Sequence, residues 1–148
     1  MNPVMQTIMG DKGNCFNACI ASLLNINIDD VPVLDSFQDG EWSAQLNEWL
    51  YPRGLVYFDI RIAKSEAGLF FKDKDFYHVL TGPSPRLPGL DHCVIGRKGK
   101  IVHDPHPEGT GLIDKQTYLT IGILVMRCME DALTKSRRIA IENEQYVP

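Results

Sequence analysis

The chain has 148 residues, 44% hydrophobic and 23% charged, with a formal net charge of −4, the composition of one globular domain built around a main core. Its 15 Lys and Arg are outnumbered by 19 Asp and Glu, and no basic tail or stripe offsets them, which argues against a nucleic-acid partner held by phosphate neutralisation. The longest apolar stretch, at 121–126, falls far short of the roughly 20 residues of a membrane-spanning helix, and residues 1–10 have neither the basic start nor the apolar run of a secretory signal.

Residues 13–24 place Phe16, Cys19, Ile20, Leu23 and Leu24 at helical spacing behind Gly13-Asn14, so the pattern predicts a buried helix with Cys15 in its first turn. Asp29-Asp30-Val31-Pro32 interrupts it. Residues 39–50 resume helical spacing with Trp42, Leu46, Trp49 and Leu50 on one side and Asp39 or Ser43 as caps. From 55 to 62, Val56, Phe58, Ile60 and Ile62 alternate with Tyr57, Asp59 and Arg61, predicting a strand with one face covered. A strand at 76–81 precedes a Pro-rich loop at 82–89, and short strands at 92–96 and 100–104 flank Arg97-Lys98-Gly99. A strand at 121–128 completes a mostly antiparallel sheet. Helices first and strands afterwards is the pattern of an α+β domain, expected over 1–128, with the more charged 129–148 as a C-terminal helix or tail.

The absence of a signal implies a cytoplasmic protein with reduced thiols, and four cysteines (Cys15, Cys19, Cys93, Cys128) are too few for a disulfide scaffold. A cysteine at a helix start gains from the helix dipole and unpaired amides, which favour thiolate. A nucleophile also needs an imidazole, and the imidazole an acceptor; His92 and Asp104 can supply both. If residues 97–99 form a three-residue hairpin loop, His92 faces Asp104 directly. With a two-residue turn at Lys98-Gly99, His92 faces Pro105 and Asp104 points to the other side of the sheet. Cys19, Cys93 and Cys128 are expected in packing roles, and His78, in an apolar strand, in the core. A zinc site from Cys15, Cys19, His103 and His106 lacks a recurrent ligand spacing, so no metal and no cofactor is expected. Gln6 and Asn14 are the nearby amides for an oxyanion, with Asn14 also a candidate helix cap.

Gln6, then Gly-Asn-Cys-Phe-x-Ala-Cys-x-Ala-Ser-Leu-Leu, then a strand starting at His92 and another ending at Asp104-Pro105, together resemble a small papain-like or C39-like cysteine peptidase domain. Gly82-Pro83-Ser84-Pro85-Arg86 and Ile101-Val102-His103-Asp104-Pro105-His106-Pro107 with Gly111-Leu112 resemble more closely a bacterial and phage family described as papain-like. The resemblance spans residues 6–112. It implies a papain-like fold, Cys15 as nucleophile, His92 as general base and Asp104 as orienting acid, and a phage or prophage origin. The oxyanion glutamine of papain-type enzymes lies six residues before the cysteine, where this chain has Met9; Gln6 therefore needs a longer intervening loop to serve.

The expected function is a thiol hydrolase (peptidase, isopeptidase or amidase) or acyl transferase acting on a peptide, protein or small amide. Ser84, Arg86, His103 and His106 are its candidate substrate-binding residues, because their loops should border the cleft. The alternative is a non-catalytic binding protein on the same fold, such as a phage-encoded inhibitor of a host protein or small-molecule signal.

Overall fold

A computed structural model of the chain describes residues 1–34 and 41–127. The expected C-terminal helix, Cys128 and the Asp39 cap lie outside the described residues. The fold is α+β: helix α1 (Cys15–Leu24), helix α2 (Glu41–Leu50), strand β1 (Leu55–Ala63), a one-turn helix α3 (Ala67–Phe70), then β2 (Tyr77–Pro83), β3 (Asp91–Arg97), β4 (Lys100–His103) and β5 (Tyr118–Met126). The five strands form one sheet in the order β1-β5-β2-β3-β4, and every neighbouring pair is antiparallel. Among the described residues, no helix is long and apolar enough to cross a membrane.

The helix α1 is buried almost all round, because Ala18, Ala21 and Ser22 are small enough to admit neighbours on the side away from the sheet. The N-terminal segment uses that room: Val4 N–H donates to Ser22 Oγ at 2.9 Å and Asn2 N–H to the Ser22 carbonyl at 3.2 Å. Asn25, in the left-handed region at φ 56°, ends the helix. Leu46 and Leu50 of α2 are fully buried, each worth about 1.5–3 kcal/mol of apolar burial. Ser43 lies inside α2 and not at its cap. Asn47 bonds both backbone groups of Tyr57, accepting from its N–H at 2.7 Å and donating to its carbonyl at 3.0 Å, which protects the outer edge of β1.

The sheet is covered on both faces. Tyr57, Val79, Cys93 and Ile95 pack with α1 and α2, while Leu80, Val94 and Ile121 pack with Phe71 on the opposite face. This corrects the expectation that only one face of β1 is covered: Tyr57 is 3% exposed and Phe58 42%. The Phe16 and Trp42 rings cover Tyr57 at 5.4 and 5.8 Å, whereas the cover on the other face reaches Ile60 and Ile62 instead. Position 122 must be glycine, since a Cβ there would fall 1.9 Å from the Tyr57 hydroxyl. The strand β2 also runs two residues into the expected loop, pairing Gly82 with His92 and Pro83 with Asp91, and α3 has no counterpart among the predicted elements.

His78 belongs to the second core. It is fully buried, stacks on Phe71 at 5.0 Å and lies against Gly96, where a Cβ would come within 2.5 Å of its Nε2. A carbonyl can only accept, so the 3.2 Å contact with the Phe76 oxygen puts the proton on Nδ1 and leaves Nε2 buried without a partner. Burial, opposed by the Phe76 bond, holds the imidazole below its ordinary 6.5. The unfolded chain therefore binds this proton more readily, so the titration of His78 costs no stability above pH 6.5 and a growing amount as pH falls below it, on top of the pH-independent cost of its unpartnered Nε2. His78→Phe should raise stability at pH 7.5 by on the order of 1 kcal/mol and flatten the loss between pH 7 and 5. Urea midpoints of both proteins at the two pH values check this; an unchanged pH dependence would contradict it.

Candidate active site

The nucleophile candidate stands where the sequence pattern puts it, as the first residue of α1. Asn14 precedes it, and its carbonyl accepts the first helical bond, from Ala18 N–H at 3.0 Å. Its side chain does not cap the helix. Instead Oδ1 accepts from Thr7 N–H at 3.0 Å and Ile8 N–H at 2.9 Å, and Nδ2 donates to Thr7 Oγ1 at 2.9 Å. Asn14 thus fastens the approach segment, which corrects its expected role as a helix cap. With no side chain capping α1, its first-turn amides and dipole act on Cys15.

The hairpin that carries His92 and Asp104 has the two-residue turn. Arg97 pairs with Lys100 and Gly96 with Ile101, around Lys98 and Gly99, both at positive φ (55° and 74°), as a tight hairpin twisting with its strands requires. Continued unchanged, that register would turn Asp104 away from His92. The next pair, however, is Ile95 with His103: β3 advances one residue while β4 advances two. Val102 is the extra residue of a β-bulge, and one inserted residue exchanges the two faces of the strand beyond it. Asp104 returns to the side of His92, and His92 Nε2 lies 2.8 Å from Asp104 Oδ1.

Asp104 is held on every side. Oδ1 also accepts from His106 N–H at 2.8 Å, and Oδ2 from Gly111 N–H at 2.7 Å; Arg86 Nη1 stands 3.8 Å from Oδ2 and bonds Thr110 Oγ1. Burial would push the carboxyl pKa up, but the bonds from His92, His106 and Gly111 win and hold it below the ordinary carboxylate value. On His92, burial opposes the charge, and bonding to Cys15 and Asp104 outweighs it, so its pKa lies above 6.5. Asp104 occupies Nε2, which leaves Nδ1 as the ring nitrogen for the thiol. The Cys15 thiol is held well below its ordinary 9.0, chiefly by hydrogen bonding with Cys93 and, against the cost of burial, by His92. Burial with the neighbouring Cys15 charge pushes Cys19 up, in keeping with a core role.

Gln6 is buried, with Nε2 donating to the Ile8 carbonyl at 2.9 Å and lying 3.2 Å from Met9 Sδ. The same Nε2 would meet a Cβ at position 13 at 3.4 Å, so the amide lies beside the approach to Cys15. The three additional residues are absorbed in a turn at Gly10, which closes with Gly13 N–H on the Gly10 carbonyl at 3.1 Å. No protein-family model, no curated protein and no solved structure matches the chain. The site therefore stands on its own geometry.

The four residues expected to grip substrate have different surroundings. Ser84 is 5% exposed, and its Oγ accepts from Arg86 N–H and Leu87 N–H, each at 3.2 Å, so it stiffens its own loop. Arg86 faces Asp104. His103 Nε2 donates to the Val4 carbonyl at 2.9 Å, tying the N-terminal segment to β4. His106 alone borders the site, its ring 6.3 Å from that of His92. Cys93, assigned to packing from sequence, is buried in the apolar cluster that Cys15 borders. Among the described residues, no group of three or more His, Cys, Asp or Glu is placed to hold a metal. Asp104→Asn should lower the His92 pKa by about one pH unit or more, read from the pH dependence of its imidazole proton resonances; an unmoved titration would separate Asp104 from His92 electrostatically.

Proposed function

We propose that the protein is a thiol hydrolase or acyl transferase of papain-like fold, with Cys15 as nucleophile, His92 as acid and base, and Asp104 as the residue that orients His92. The observation that carries the reading is the 2.8 Å bond between His92 and Asp104, formed beside a thiol whose position at the start of α1 favours the thiolate. A thiolate–imidazolium pair is the ready form. The Cys15 sulfur attacks a carbonyl carbon, and the π electrons move to the oxygen, where the Cys15 N–H and Gln6 Nε2 receive them. Gln6 is suited to this because one of its two amide hydrogens faces only the weak acceptor Met9 Sδ, which an oxyanion would displace. Proton transfer from His92 expels the amine, alcohol or thiol, leaving a thioester on Cys15. His92 then takes a proton from water, or from an acceptor amine, which attacks the thioester and releases Cys15 as thiolate. A reducing, cytoplasmic setting would keep Cys15 in its active form.

The acid limb of the kcat/KM profile should follow ionisation of Cys15, far below pH 9, and the alkaline limb loss of the His92 proton, above pH 6.5. Iodoacetamide at pH 6 should alkylate Cys15 rapidly and ahead of the other thiols, and His92→Ala should slow this by 100-fold or so, within the usual range for a general base. With p-nitrophenyl acetate, intact mass should show an acetyl group on the wild type and none on Cys15→Ala. Slow, equal labelling of all accessible thiols would overturn the assignment.

A further inference from the structure

Met9 Sδ lies 3.2 Å from Gln6 Nε2, so a thioether rests on the amide proposed to receive the oxyanion. The two side chains differ in access: Gln6 is 7% exposed and Met9 45%. The Ile8 carbonyl accepts from the same Nε2 at 2.9 Å and fixes which way the Gln6 amide points, because an amide oxygen in that place would meet a second acceptor. One amide hydrogen is thus committed to Ile8. The other is turned to Met9, whose thioether is only a weak acceptor and holds it loosely.

We infer that Met9 is an oxidation site that controls the oxyanion donor: its sulfoxide takes the Gln6 N–H that the thioether leaves to the substrate, and blocks acyl transfer until it is reduced. The inference rests on Cys15 being the nucleophile and Gln6 serving the oxyanion. The oxidant is a peroxide. The Met9 sulfur attacks one oxygen of hydrogen peroxide, the O–O bond breaks, and the departing hydroxide takes the proton of the transferred oxygen and leaves as water. Sulfur is oxidised by two electrons and the peroxide reduced by two. The product is polar, with a strong acceptor oxygen in place of a weakly accepting sulfur. The unbranched, exposed side chain can draw back far enough to set that oxygen on Nε2. Met5 and Met126 are exposed as well, so they oxidise alongside Met9 and serve as internal controls.

Two reactions of Cys15 separate this effect from damage to the nucleophile. Acylation by p-nitrophenyl acetate forms an oxyanion, whereas alkylation by iodoacetamide displaces iodide from a saturated carbon and forms none. Thiols are capped with methyl methanethiosulfonate, the protein is treated with hydrogen peroxide, and dithiothreitol then frees the thiols while methionine sulfoxide persists. With Met9 oxidised, as read by peptide mass spectrometry, acylation of Cys15 should slow by about tenfold or more, toward the loss expected for a missing oxyanion donor. Alkylation should stay within about twofold of protein carried through without peroxide, since it needs no such donor. Methionine sulfoxide reductases A and B, one for each epimer, should restore acylation. Met9→Leu given the same treatment should keep its own untreated rate, although Met5 and Met126 are oxidised in it. Undiminished acylation with Met9 oxidised, an equal loss in Met9→Leu, or equal slowing of both reagents would overturn the inference. If the oxidised protein fails to melt cooperatively, Met9→Gln, which sets an amide oxygen against Gln6 without peroxide, decides: acylation at the wild-type rate overturns the inference. Untreated wild type that is not acylated on Cys15 overturns the proposed function itself, and this inference with it.

Discussion

The bulge at Val102 is the constraint on which the site depends. A strand delivers side chains alternately to two faces, so a two-residue turn at Lys98-Gly99 commits Asp104 to the wrong face unless the alternation is broken once. Inserting Val102 breaks it between the turn and the site, where β4 is the edge strand and, among the described residues, its outer side has no partner strand to disrupt. The same shift places the neighbours of Asp104 as well. His103 reaches the Val4 carbonyl, and Pro105 offers its carbonyl to Gln6 N–H at 3.0 Å. One inserted residue therefore aligns the acid with the imidazole and brings the segment bearing Gln6 to the same place.

An ionised carboxylate removed from water costs several kcal/mol unless its lone pairs are satisfied, and this requirement explains two loops that look like substrate contacts in sequence. The loop after β2 is stiffened by prolines and by Ser84, and it carries Arg86 to Asp104. The loop after β4 turns so that His106 N–H and Gly111 N–H point at the same carboxylate. Both are better understood as a cage for Asp104. With the cage complete, Asp104 stays charged and can keep His92 protonated beside a thiolate. Under the proposed function, substrate recognition would fall to the region around the Cys15 approach and His106.

The two buried histidines show why residue type and strand placement do not settle a role. His78 and His92 lie on adjacent strands of the same sheet, and both are buried. His92 has a carboxylate at 2.8 Å and holds its proton more tightly than a free imidazole. His78 has one backbone carbonyl and two aromatic rings, and holds its proton less tightly. The difference is entirely in the partner, and the partner comes from another part of the chain.

Local pattern sufficed for much of this protein. Helical spacing located α1 and placed Cys15 at its start, alternation located β1, and turn residues bounded the hairpin, because each is governed by interactions within a few residues. Sequence could also narrow the triad question to the register of one hairpin. It could not answer it, because a bulge is chosen by how β4 pairs with β3 and by what the edge must reach. Arg86 against Asp104 and the burial of Tyr57 in place of Phe58 were beyond the pattern for the same reason. Each depends on which elements meet across the sheet, and a residue's own neighbours in the chain carry no record of that.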